Sequence, residues 1–143
     1  MKIMSFSITQ RPIHSQPLLE KLKNTEAGAI NVFEGWVRNN NEGKTVTSLE
    51  YQIYPALAIK EGEKIIQEVY GKYEVMGAVA IHRSGHLYLG DTAVWVATTA
   101  RHRDTAFQAT RYIIDEIKHR LPIWKKEYYV DYPSEWVYCS HHH

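Results

Sequence analysis

Apolar and polar residues follow two periods along the chain, and each period predicts a different kind of element. Alternation with a period of two, and runs of β-branched or aromatic residues, predict strands. These strands lie at residues 5–9, 27–33, 46–54, 78–81, 87–89, 92–99, 123–130 and 135–139. The first alternates weakly and is predicted as an edge strand, and a Ser84-Gly85 turn is predicted between strands 78–81 and 87–89.

Two helices are predicted in the first half of the chain, the shorter at residues 16–23. Pro55 suits the first turn of the other, because the first helical position needs no backbone N–H. This helix continues to Gly71 and is predicted to bury Leu57, Ile65, Ile66 and Val69. Residues 39–43 are rich in turn-forming types and are predicted as a loop.

A third helix is predicted from Asp104 to Arg120, because apolar residues recur there at helical spacing. Its predicted buried face consists of Ala106, Thr110, Ile113, Ile114 and Ile117. Pro122 prevents its continuation, since proline lacks the N–H that the helix needs. The order of the elements predicts an α+β fold with hairpins.

The length of the chain, 143 residues, predicts one domain. There is no repeat and no Pro-rich or Gly/Ser-rich linker to divide it. We therefore expect residues 1–140 to form a single domain. The closing residues 141–143 are all histidine and are interpreted as the remnant of an affinity tag.

Composition excludes several classes of protein. An apolar content of 44% with 23% charged residues is typical of a globular chain rather than a disordered one. We find no apolar stretch long enough to cross a membrane and no leader segment, so a cytoplasmic location is expected. The single cysteine, Cys139, excludes an internal disulfide and a cysteine zinc site.

The net charge of +1 gives no general argument for binding nucleic acid or membrane, but the cations are concentrated. Residues 101–126 carry +4 and the remainder −3. Within this segment Arg101, His102 and Arg103 precede the third predicted helix, where unpaired N–H groups and the helix dipole favour an anion such as phosphate. Alternatively, Arg103 pairs with a nearby acid and His102 is an ordinary packed histidine.

Lysines near the end of this helix are candidates for catalysis. Lys118 follows Ile117 at the edge of the predicted buried face, so its amine can reach a cleft. Lys125 and Lys126 lie on a predicted strand and point to opposite faces, whereas Lys125 and Glu127 share a face. The alternative for each lysine is a solvated side chain.

Arg38 follows a predicted strand that Gly35 interrupts, and it is either a further ligand-binding cation or an edge charge. His82 and His86 are four residues apart, but a Ser-Gly turn between them removes the geometry of a metal site. No Gly-rich phosphate loop, nucleophile elbow or paired carboxylate motif is present.

In five blocks taken in order, the sequence resembles the large, catalytic subunit of molybdopterin synthase over about residues 5–138. The blocks are Gly28-Ala29 with Phe33-x-Gly35-x-Val37-Arg38, Leu49-Glu50-Tyr51 with Tyr54-Pro55, His82-Arg83-x-Gly85-x-Leu87 with Gly90-Asp91, His102-Arg103-x-x-Ala106-Phe107, and Lys118-x-Arg120-x-Pro122-x-Trp124-Lys125-x-Glu127. The resemblance implies an α/β hammerhead fold with an additional antiparallel β subdomain. It also implies a homodimer within a heterotetramer that includes two copies of a small ubiquitin-like sulfur-carrier subunit.

The resemblance further implies a sulfurtransferase. Its substrate would be cyclic pyranopterin monophosphate (precursor Z), and two transfers from the carrier's C-terminal thiocarboxylate would form the molybdopterin dithiolene. By matching position, Lys118 and Lys125 would be the catalytic lysines. The substrate would be bound by Trp36, Val37, Arg38, His102, Arg103, Lys126 and Glu127. Neither a metal nor an organic cofactor is required.

Two other hypotheses use the same residues. A non-catalytic module could bind a phosphate ligand or RNA through the cationic patch, although the patch is small for nucleic acid. A paralogue could keep the fold and the carrier-binding surface without turnover, but the presence of both Lys118 and Lys125 argues against it.

Overall fold

Nine strands and three helices follow one another along residues 3–139, the part of the chain that the computed structural model describes. They are β1 (Ile3–Thr9), α1 (Ser15–Leu22), β2 (Ala29–Trp36), β3 (Asn40–Asn41), β4 (Lys44–Ile53), α2 (Pro55–Lys72), β5 (Val75–Arg83), β6 (Gly85–Tyr88), β7 (Thr92–Ala100), α3 (Arg103–Arg120), β8 (Ile123–Tyr129) and β9 (Trp136–Tyr138). The predicted tag remnant lies outside the described residues. The α+β class is confirmed.

The first sheet has the strand order β1-β5-β7-β2. Strand β1 is parallel to β5 at one edge, which confirms the predicted edge strand, and the other pairs are antiparallel. Helices α2 and α3 cover one face, and α1 covers part of the other with Leu22 packed near Trp95. Since both faces are covered, residues 93–100 of β7 are all buried.

Helices α2 and α3 lie close to the first sheet because small residues allow it. A Cβ at Gly62 of α2 would collide with the Phe6 ring of β1. The predicted buried residues Ile65, Ile66 and Val69 are in the core, but Leu57 is 57% exposed and Ala58 is buried instead. One helical step of about 100° separates these two positions, so the stripe begins one residue later than predicted.

The second sheet has the order β3-β4-β8-β9, with β6 also paired to β4. The predicted Ser84-Gly85 turn does not lead to pairing of β5 with β6, because β6 pairs with β4 in this second sheet. Gly85, with a φ of 87°, permits the change of direction. The change buries Leu87 completely against Val37 and Leu49, which a β5–β6 hairpin would not provide.

The predicted loop at residues 39–43 is instead a tight hairpin. Asn40 and Asn41 form β3 and pair with Thr45 and Lys44 of β4. The two residues between them have left-handed backbones, φ 52° at Glu42 and 80° at Gly43. This is the conformation of a type I′ turn, whose twist suits a hairpin. The chain thus passes from β2 of the first sheet into this hairpin, whose strands β3 and β4 form one edge of the second sheet.

Helix α3 agrees with the sequence prediction except at its start, which is Arg103 rather than Asp104. Thr110 and Ile113 are among its buried residues, and Ile114 is half-buried. Within residues 3–139 there is no helix long and apolar enough to cross a membrane.

Candidate active site

Two predicted site residues come together on β8 of the second sheet. Lys125 and Glu127 share one face of the strand, with the Lys125 Nζ 3.9 Å from a Glu127 carboxylate oxygen. Both side chains are mostly shielded, 27% and 11% exposed. The predicted shared face is therefore confirmed, and it places an ammonium beside a carboxylate in a partly dry setting.

Lys118 lies in the last turn of α3 and is exposed. Its charge, like that of Lys125, acts on the thiol of Cys139. Burial raises the pKa of this thiol, the two ammonium groups oppose the rise, and Glu127 adds to it. We call Lys118, Lys125 and Glu127, with Cys139 beside them, the lysine site.

The Cys139 thiol is not an activated nucleophile, because its pKa is raised rather than lowered. Tyr51 of β4 lies beneath the lysine site and packs against the same hydrophobic core as Cys139. Tyr51 pairs with Lys125 in the strand register, and its ring meets His82 edge-on at 5.0 Å. Burial raises the pKa of the Tyr51 hydroxyl, and the charges of Cys139 and Glu127 add to the rise. Burial also lowers the pKa of His82 to about 4, so the imidazole that packs against the Tyr51 ring is neutral at neutral pH.

The Glu127 carboxylate is fixed by two neutral donors. The Asn41 side-chain amide donates to Glu127 Oε1 at 2.7 Å, and the Tyr129 hydroxyl donates to the same oxygen at 3.1 Å. Asn41 comes from the β3–β4 hairpin and Tyr129 from β8 itself. One carboxylate oxygen therefore meets two hydrogen-bond donors and one ammonium.

Lys126, predicted to bind substrate, faces away from the lysine site. Its ammonium lies over the rings of Tyr128 and Trp136, at 5.3 and 5.8 Å from their centroids. Strand alternation is the reason, because adjacent residues point to opposite faces of a sheet. The opposite faces predicted for Lys125 and Lys126 are therefore confirmed, and the expected contact of Lys126 with substrate stays a prediction.

Trp36, Val37 and Arg38 lie where β2 leaves the first sheet. Trp36 is 68% exposed and its indole N–H donates to the Glu34 carboxylate at 3.0 Å. Val37 is 4% exposed and packs in the core, so its side chain supports the site rather than reaching a ligand. Arg38 is exposed and three positions before Asn41, which contacts Glu127. Arg38 is thus on the segment that leads to the lysine site.

His102 and Arg103 lie at the opposite end of the first sheet from Trp36 and Arg38. Strand β2 ends at Trp36, which pairs with Thr92 at the start of β7, whereas His102 follows the end of β7. Residues at opposite ends of such a strand pair are more than about 20 Å apart. Lys118 is 15 positions after Arg103 in α3, a rise of about 22 Å. One chain therefore does not bring Arg103 to the lysine site.

The geometry predicted for the start of α3 is itself present. His102 is the residue before the helix, its side chain makes no capping bond, and the first-turn amides point out of the helix end. Arg103 is exposed. This end of the molecule can receive an anion, as the sequence indicates.

Three residues around the lysine site were not predicted from the sequence. Asn41 was assigned to a loop, and a Glu-Gly turn is a weaker hairpin signal than Asn-Gly. Tyr51 and Cys139 carry no local signal for this site, because their neighbours there come from distant segments of the chain. Residues 3–139 contain no group of three or more side chains suited to holding a metal ion.

The fold and the site define an α+β protein with two sheets in which one strand holds a partly shielded lysine beside a carboxylate. The family model described as MoaE protein matches residues 8–120. This chain belongs to the MoaE protein family.

Named relatives agree with this assignment. The molybdopterin synthase catalytic subunit of Thermoplasma volcanium is 40% identical over 120 residues, 84% of this chain and 88% of that protein. The one from Bacillus subtilis is 39% identical over 92% of this chain and 83% of its own length.

Solved structures give the same result. The crystal structure of molybdopterin synthase from Staphylococcus aureus aligns with a TM-score of 0.84 at 36% identity, covering 96% of this chain and 98% of that one. A chain from a complex of subunits 1 and 2 of the Helicobacter pylori molybdopterin-converting factor aligns with a TM-score of 0.75 over 96% of this chain and 91% of its own. At 23% identity, the second likeness concerns the fold alone.

Proposed function

We propose that this chain is the catalytic subunit of a molybdopterin synthase, an enzyme that transfers sulfur in molybdenum cofactor biosynthesis. The observation that carries the proposal is the pairing of Lys125 with Glu127 on β8, beside a Cys139 thiol on which the Lys118 charge also acts, in a member of this family. The relatives that match over most of the chain bear the name of this subunit.

The partner we propose is a small ubiquitin-like sulfur-carrier subunit. Its C-terminal thiocarboxylate would enter the lysine site and supply sulfur to cyclic pyranopterin monophosphate, giving the dithiolene after two transfers. The relatives named as catalytic subunits support a partner of this kind, since a catalytic subunit is one part of an assembly. Since the sulfur arrives on the carrier, this chain needs no nucleophilic cysteine, which suits the raised pKa of the Cys139 thiol.

The chemistry explains why cations surround the site. Adding sulfur to the pterin side chain and opening the cyclic phosphate both develop negative charge on oxygen. Ammonium groups of Lys118 and Lys125 stabilise that charge, and the partial burial of Lys125 strengthens its interaction. Glu127 holds the Lys125 ammonium near the reacting atoms.

The fold supports a finer assignment. The first sheet with α2 and α3 corresponds to the α/β hammerhead, and the second sheet to the added antiparallel subdomain. Residues 1–140 would form one domain of this type, and we propose that it works in the cytoplasm.

We further propose that the complete site needs a homodimer. His102 and Arg103 are too far from Lys118 in one chain to hold the same small substrate, so a second copy would supply them. Oligomers of one chain are usually symmetric, and a two-fold pair would form two such sites.

The central experiment measures dithiolene formation from cyclic pyranopterin monophosphate with this protein and a thiocarboxylated carrier. Product that requires both proteins supports the synthase. No product with intact carrier binding would indicate a paralogue without turnover, and no carrier binding would favour the phosphate-binding module.

The shared site is tested by mixing two inactive variants, Lys118→Ala and Arg103→Ala. In randomly mixed dimers half are hetero-dimers with one intact site, so activity recovers to about a quarter of the wild-type level. Either variant alone, carried through the same denaturation and refolding, is the control. Recovery near zero in the mixture would mean that all these residues act within one chain.

A further inference from the structure

We propose that Asn41 is a positioning residue that sets the Glu127 carboxylate, and through it the Lys125 ammonium, for the sulfur-transfer reaction. This inference rests on the proposed function. The residue lies in the segment where the sequence predicts only a loop, and none of the predicted site residues includes it. Its contact with Glu127 spans 86 positions of the chain.

The contacts of one oxygen atom carry the inference. Glu127 Oε1 accepts from the Asn41 amide at 2.7 Å and from the Tyr129 hydroxyl at 3.1 Å, and the same atom lies 3.9 Å from Lys125 Nζ. The bond to Asn41 is the shortest of the three. A carboxylate can accept but not donate, so the amide must present its NH₂ group.

The distance to Lys125 has a consequence for catalysis. At 3.9 Å the ammonium is close enough to feel the carboxylate charge but too far to share a hydrogen bond with it. Its three N–H donors are therefore not taken up by Glu127 and can turn to a reacting oxygen or sulfur. A Glu127 side chain free to rotate toward Lys125 would form a direct hydrogen bond and occupy a donor.

The hairpin is built to hold Asn41 in place. Its turn has the left-handed residues Glu42 and Gly43, and the Val46 N–H donates to the Asn39 carbonyl at 2.9 Å. Lys44, the next residue after the turn, lies over the rings of Tyr129 and Tyr132 at 5.3 and 5.1 Å. The hairpin is thus attached to β8, the strand that carries Lys125 and Glu127.

The first test compares Asn41→Ala with the control Asn40→Ala in the synthase assay with the carrier. Asn40 is the exposed neighbour on the same two-residue strand. We expect Asn41→Ala to lower kcat about tenfold with KM changed less than twofold, because misplaced catalytic groups slow the chemical step. Asn40→Ala should match the wild type. An unchanged kcat in Asn41→Ala, or a rise in KM alone, would overturn the inference.

A double-mutant cycle shows whether Asn41 acts through Glu127. Groups that act as a unit are not additive, so Asn41→Ala should cost less than twofold in kcat when Glu127 is already alanine. A tenfold loss of kcat from Asn41→Ala both in the wild type and in Glu127→Ala would contradict the proposal that Asn41 acts through Glu127.

An NMR measurement on the free protein separates this inference from the synthase proposal. The side-chain amide signals of Asn41 should shift in Glu127→Ala, while those of Asn40 stay in place. If the wild type makes no product but the Asn41 signals shift, the proposed function fails and the contact stands. If those signals do not move, the positioning role is wrong whatever the activity.

Discussion

Two charged clusters lie at the end of helix α3, and they differ in how fully their charges are paired. Arg120 donates to three carboxylates, those of Glu61, Glu68 and Glu116, at distances from 2.6 to 3.1 Å. Two positions earlier, Lys118 is exposed, and in the lysine site Lys125 has a carboxylate only at 3.9 Å. Both clusters contain cations, but only the Arg120 guanidinium has its donors taken up by carboxylates.

The extent of charge pairing distinguishes a cluster that stabilises the fold from one that is available to a ligand. The Arg120 cluster joins α3 to α2, because Glu61 and Glu68 belong to α2 and Tyr112 also donates to Glu68. These hydrogen bonds raise the pKa of the Arg120 guanidinium and leave little capacity for a ligand. The lysine site keeps donors available, which costs stability and suits chemistry.

The largest expected effect is on catalysis. Lys118→Ala should reduce dithiolene formation at least about 100-fold, because it removes an ammonium that stabilises developing charge. The side chain lies outside the core, so the melting temperature should stay within about 3 °C of the wild type. Turnover at the wild-type rate would remove the central role of this lysine.

Arg120→Ala should lower stability and leave activity nearly unchanged, the reverse of Lys118→Ala. Three carboxylates would lose their common partner, and we expect the free energy of unfolding to fall by about 2 kcal/mol, since the cluster is partly exposed. Urea denaturation followed by circular dichroism measures the change. Activity well below the melting temperature should be within twofold of the wild type. Loss of activity without loss of stability would show that Arg120 serves catalysis rather than the fold.

The smallest effect is a dependence of stability on pH. The hydrogen bond from Arg120, followed by that from Tyr112, lowers the pKa of Glu68 from 4.5 to about 2. A carboxyl with a lowered folded pKa stabilises the protein fully above its unfolded value and loses that contribution as pH falls toward about 2. Stability should therefore decline between about pH 5 and pH 2 less steeply in Glu68→Gln than in the wild type. Parallel curves would show that Glu68 is not held in this way.

Local patterns predicted most of the elements. The spacing of Ala106, Ile113 and Ile117 predicted α3 to within one residue, because a helix depends on contacts between near neighbours. The sequence predicted the turn before β6 but no partner for this strand, since strand pairing depends on where Leu87 can be buried among distant segments. The hairpin at Glu42 and Gly43 was missed because its left-handed turn has a weak local signal.

What the sequence alone determined was the family, the α+β class and the types of residue at the site. It also placed Lys125 and Glu127 on one face, since alternation along a strand is a local property. Only the tertiary structure showed that Asn41 reaches Glu127, that Lys126 lies over aromatic rings, and that a rise of about 22 Å along α3 separates Arg103 from Lys118. These are distances between remote segments, and they are set by packing of the two sheets rather than by any short stretch of chain.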